Sequence, residues 1–74
     1  MEENIKVESS VIKAIGYDET RQDLSIYFES GKCYIYTPVS LHFWAKVKEA
    51  ESTGKFFNKN IKNNEAFTCL KFIR

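Results

Sequence analysis

Cysteine, proline, glycine and histidine are all scarce in this chain of 74 residues, which holds two, one, three and one of them respectively. Two cysteines do not make a disulfide framework, and a chain that starts Met1-Glu2-Glu3-Asn4 lacks the basic start and apolar stretch of an export signal. Cys33 and Cys69 are therefore expected to be reduced and packed as small apolar groups. Glycines 16, 31 and 54 are isolated, so no phosphate-binding loop exists. His42 has only Cys33 and Cys69 as partners for a thiol–base pair or a zinc site, and nothing in the sequence orients it. Carboxylate neighbours such as Asp18-Glu19 fall in turns, where solvated charge is the ordinary explanation. No run approaches the roughly 18–20 apolar residues of a membrane span. These absences predict a cytoplasmic protein that is not an enzyme and carries no metal or cofactor.

What is present is an aromatic, apolar interior for a very small domain. The hydrophobic fraction is 43% and the aromatic fraction 15%, far from the signature of disorder. At this length folding hides only about 60% of the surface of the unfolded chain, so a few large rings supply much of the buried area. The net charge of +1 conceals a division. Residues 1–39 carry four basic against seven acidic side chains, and residues 40–74 carry seven against three.

Residues 1–8, polar and acidic with Ile5 and Val7 as the only apolar anchors, read as a flexible N-terminal tail, leaving residues 9–74 as a single domain. Val11, Ile12 and Ile15 support a first strand, and 18–22 is a polar turn. Leu24, Ile26 and Phe28 alternate with Ser25, Tyr27 and Glu29, the period of a half-buried antiparallel strand. A third strand, 32–37, closes a hairpin.

The hairpin turn decides where the tyrosines point. A two-residue loop at Ser30-Gly31 sets Tyr27 opposite Tyr34 on the face away from Leu24, Ile26 and Phe28. A three-residue loop with Gly31 in the left-handed region pairs Ile26 with Tyr34 and Leu24 with Tyr36, and the tyrosines join the core face. The second asks positive φ only of glycine, so the turn chemistry favours it.

Thr37-Pro38 reads as a helix cap and first helical position, with Ser40 the alternative cap. The spacing predicts a helix over 38–53 that presents Phe43, Val47 and Ala50 to the core, with Leu41 and Trp44 flanking and Gly54 ending it. Phe57 and Ile61, four apart, suggest a second short helix stopped by Asn63-Asn64. The apolar segment 67–73 is a fourth strand or a strap across the core, which periodicity does not separate. The fold class is α+β: a three-stranded antiparallel sheet followed by two helices, with an extra C-terminal strand left open.

The order Ile15-Gly16-Tyr17-Asp18, Leu24-Ser25-Ile26-Tyr27-Phe28, Ser30-Gly31, Tyr34-Ile35-Tyr36 and Ala50-Glu51-Ser52-Thr53-Gly54-Lys55-Phe56-Phe57-Asn58 resembles the KTSC domain. The likeness runs from about Ser9 to Phe67. It implies a module that occurs at the C-terminus of some lysyl-tRNA synthetases and also alone, with no established activity and with RNA binding suggested by that attachment alone. Glu65-Ala66-Phe67 departs from the tyrosine-rich ending of the family.

The residues with most to offer a ligand are Tyr27, Tyr34 and Tyr36 with Lys55, Lys59 and Lys62. Rings stack on bases and lysines neutralise phosphates, so one expectation is weak, sequence-tolerant binding of single-stranded RNA. The expectation placed first is a protein-binding accessory module in which the rings form a contact patch, because a short sheet leaves edges and a face for a partner or a second copy to cover.

Overall fold

The computed structural model describes residues 2–7 and 9–73, with the side chains of all of these except 2 and 71–73. Five strands form one antiparallel meander in chain order: β1 (Glu2–Lys6), β2 (Ile12–Asp18), β3 (Asp23–Phe28), β4 (Lys32–Thr37) and β5 (Thr68–Ile73). Between β4 and β5 the chain forms α1 (Leu41–Glu49) and α2 (Thr53–Phe56), and α2 runs on into a π-helical turn, Phe57–Ile61.

The sheet is thus two strands larger than the residues alone suggested. The apolar segment near the C-terminus is a strand, paired with β4 from Lys32↔Ile73 to Thr37↔Thr68. The tail expected over 1–8 is, across Glu2–Lys6, an edge strand paired with β2. Its composition concealed this because only Ile5, opposite Ile15, turns an apolar side chain toward the core. The rest of its attachment is polar. Glu3 accepts the indole N–H of Trp44 at 2.7 Å and a hydrogen bond from Lys48 Nζ at 3.2 Å. Those partners lie more than forty positions away, beyond the reach of any local pattern.

The hairpin adopts the three-residue loop. Gly31 stands at φ +94°, its N–H donates to the Phe28 carbonyl, and β3 pairs with β4 as Leu24↔Tyr36 and Ile26↔Tyr34. Opposed residues share a face, so Leu24, Ile26, Tyr34 and Tyr36 all point to the side that carries the helices. The polar turn between β2 and β3 is held by Asp18 Oδ1, which accepts from the Thr20 and Arg21 amides.

The first helix is shorter than 38–53. Ser40 is its cap, accepting the Phe43 N–H at 3.1 Å, while the Thr37 hydroxyl is spent on the Gln22 carbonyl. It stops at Ala50 rather than Gly54, which lies inside α2. The cause is Ser52, whose hydroxyl accepts the Lys55 N–H and starts a new helix. The buried stripe of α1 is Trp44 and Val47, each 1% exposed, with Phe43 only partly covered and Leu41 exposed.

The core is one cluster: Ile12, Ile15 and Tyr17 of β2, Leu24 and Ile26 of β3, Tyr36 of β4, Val39 before α1, and Trp44, Val47, Phe57 and Ile61 from the helical segment. Tyr17 and Trp44 stack at 5.1 Å, and the Tyr17 hydroxyl donates to the Val39 carbonyl at 2.6 Å. Among the described residues no helix is long and apolar enough to cross a membrane.

The thiols stand apart. Cys33 is opposite Phe72 and Cys69 opposite Tyr36, so they lie on opposite faces of adjacent strands, three pairs distant, which at 3.4 Å per residue is about 10 Å along the strand. A disulfide requires Cα atoms within about 7 Å. Thermal melts with and without reductant are therefore expected to coincide, and a melting temperature that falls on reduction would show a different β4–β5 register.

Candidate functional site

The strands position a groove as a by-product of their register. Lys32, Tyr34 and Tyr36 alternate along β4 and so share the inner face, where Cys69 of β5 stands beside Tyr36. The opposite wall is the end of the π-helical turn and the loop after it, with Ile61, Lys62, Asn63 and Asn64. Phe28 and Ser30 close one side and Phe67 contributes from the approach to β5, enclosing a volume of about 570 Å³.

Its floor is a set of interlocked rings. Phe57 meets Phe28 at 5.6 Å and Tyr36 at 5.7 Å, both edge to face, and Phe28 meets Tyr34 in the same way at 5.1 Å. Such contacts add to the area buried and hold the rings in one arrangement. Tyr36 is 6% exposed, and burial, with the adjoining Cys69 thiol next, pushes its hydroxyl well above the ordinary phenol range. It stays neutral under all ordinary conditions. Phe28, Tyr34 and Phe67 are the half-covered rings.

Polar groups line the rim. The Asn64 carboxamide is committed at both ends, donating to the Asn60 carbonyl and accepting the Ala66 N–H, each at 2.9 Å. Its neighbour Asn63 is exposed and held at φ +61°. Among the described residues that line the groove, two are lysines and none is acidic.

The six residues singled out from the sequence are divided by the fold. Tyr34, Tyr36 and Lys62 meet in the groove. Tyr27, opposite Cys33, lies on the other face of the sheet. Lys55 and Lys59 are exposed on the helical segment outside the groove lining. Lys32 was overlooked although its spacing of two and four from Tyr34 and Tyr36 places it on their face. Phe67 and Asn63 gave no such signal, since only the return of β5 to β4 brings their loop to the site.

The histidine and the thiols are not brought together at the groove. His42 is exposed on α1, Cys33 is buried on the outer sheet face, and among the described residues no group of three or more His, Cys, Asp and Glu side chains could hold a metal ion.

The KTSC domain family model matches residues 8–67, which is most of the chain. The chain belongs to the KTSC family. The assignment expected from the Ile15 to Asn58 motifs is thereby shown, and the relatives agree with it. A protein of Tsukamurella paurometabola is 43% identical over 56 residues, covering 76% of this chain and 84% of that one. A lysine–tRNA ligase of Nostoc sp. is 41% identical over 58 residues, covering 78% of this chain, which spans only 10% of the ligase. The crystal structure of a KTSC domain protein from Yersinia pestis matches with a TM-score of 0.86 at 33% identity, covering 97% of this chain and 99% of that one. The KTSC domain therefore occurs both as nearly a whole chain and as a small part of a large synthetase.

Proposed function

We propose that this KTSC chain is a non-catalytic binding module whose groove takes single-stranded nucleic acid. The observation that carries the reading is the groove lining, in which aromatic rings and two lysines are joined by no described acidic residue. An apolar protein segment would need the rings but not the cations, whereas a nucleotide chain uses both, stacking bases on rings and setting phosphates against lysines. The occurrence of the domain within lysine–tRNA ligases is consistent with an RNA ligand.

Each phosphate neutralised on a single strand contributes about −0.7 to the slope of log affinity against log salt, so Lys32 and Lys62 support about −0.7 if they share one phosphate and about −1.4 if each holds its own. Labelled single-stranded RNA titrated at two salt concentrations should show a slope in that range. Lys32→Ala/Lys62→Ala should flatten it, while Lys55→Ala/Lys59→Ala, outside the groove, should leave most of it. Equal loss in both double variants, or no binding at low salt, would defeat the reading.

A protein partner is the second reading, and a different surface favours it. Among the described residues the outer face of the sheet carries no helix, and it presents Leu70, 48% exposed, opposite the half-covered Ile35, with Tyr27 in the next row. Binding through that face should vary little with salt.

A further inference from the structure

Resting on the nucleic-acid reading and narrowing it, we propose that the groove is a site for one nucleotide: a single base lies against Tyr34 and Phe67 while its phosphate sits between Lys32 and Lys62. A nucleoside 5′-monophosphate then binds alone, with no neighbouring nucleotide to help it.

Size is the first argument. A volume of about 570 Å³ lies in the range of sites for small molecules, and the interlocked ring floor gives it a fixed depth. A strand of several nucleotides would need an open trough continuing across the protein. Lys55 and Lys59, the basic residues of α2 and the π-helical turn, lie outside the lining and do not extend it.

Charge is the second. Lys32 comes from the start of β4 and Lys62 directly follows the π-helical turn, so two separate elements each bring a lysine to the groove lining. A phosphate held there meets both cations, with no described carboxylate among the lining residues to compete for it. Charge-assisted hydrogen bonds of this kind are the strong ones.

The third is the rim carboxamide of Asn63. Unlike Asn64, it makes no hydrogen bond among the described residues and is exposed on the groove lining. A carboxamide offers a donor and an acceptor together, which matches the paired groups on the edge of a base.

Cys69 supplies the readout, because its exposed thiol lines the groove while Cys33 is buried on the far face. The full chain is treated with iodoacetamide, and alkylation of Cys69 is followed by peptide mass spectrometry. The probes are adenosine 5′-monophosphate, adenosine, inorganic phosphate and a six-nucleotide oligoadenylate. At ten times its dissociation constant the monophosphate leaves about a tenth of sites open, so alkylation should slow about tenfold. Adenosine, without the charge-assisted contacts, should need about ten times the concentration. Inorganic phosphate, too small to cover the thiol, should leave the rate unchanged.

Lys32→Ala/Lys62→Ala should cut the protection by the monophosphate from about tenfold to about twofold at the same concentration, with the melt preserved, since both side chains are exposed. Protection that stays near tenfold in this variant, or equal protection by adenosine, overturns the phosphate assignment. If the oligoadenylate binds while the monophosphate neither protects Cys69 nor competes, the single-nucleotide site falls and the nucleic-acid reading stands. If neither binds, both fall.

Discussion

Val47→Asp is expected to abolish the cooperative thermal melt. Val47 is 1% exposed within the cluster that joins α1 to the sheet, and the carboxylate would have no hydrogen-bonding partner there. Isolated burial of a charge costs several kcal/mol even after relaxation, while a domain of this size has about 3–5 kcal/mol in reserve. Circular dichroism would register the loss of the transition. A folded variant with a sharp melt would mean that α1 turns another face to the core. Val47→Ala separates the two causes, because it removes two methyl groups without adding charge and should cost only about 1–3 kcal/mol.

Trp44→Ala is expected to be the most damaging neutral substitution, at about 3–5 kcal/mol. The indole does three things at once: it stacks on Tyr17, is buried in the core cluster, and donates its N–H to Glu3. Trp44→Phe keeps most of the packing and loses the N–H bond, so about 1–2 kcal/mol is the expected cost. If both variants lose the same amount, packing is not the larger part. Acid should weaken the same hydrogen bond in the native protein. The hydrogen bonds from Trp44 and then Lys48 hold the Glu3 carboxyl below the usual value of 4.5. A carboxyl depressed in the folded state adds stability that is fully present above its unfolded value and disappears as pH falls through the folded one. Fluorescence of Trp44, the only tryptophan, should therefore change below about pH 4.5, and Glu3→Gln should remove that step.

Much of the fold follows from local chemistry. The turn at Gly31 needed positive φ at one residue and a glycine stood there, so the β3–β4 register and the inward direction of Tyr34 and Tyr36 were legible from the sequence. Phe57 and Ile61, four apart, share a buried face in the π-helical turn as they would in an α-helix. The helix ends were less legible, because Ser40 and Ser52 act as caps only where their hydroxyls meet the Phe43 and Lys55 amides, and Thr37 had an equally good residue type for the role.

The groove was half legible. Alternation alone puts Lys32 with Tyr34 and Tyr36. Its second wall depends on the loop at Asn63 and on Phe67, which reach it only because the chain returns as β5 to pair with β4. By itself, then, the sequence determined what is set within a few residues: strand alternation, the hairpin turn, the apolar faces of the helical segment and the family. Tertiary structure alone decided what depends on distant pairing. It made Glu2–Lys6 a strand by pairing it with β2, and it set Glu3 against the indole N–H of Trp44. It divided the six tyrosines and lysines among the groove, the reverse of the sheet and the helix surface. The physical reason is range: backbone sterics, capping and side-chain period act over one or two turns, while a hydrogen bond to a buried donor 41 residues away has no counterpart in local pattern.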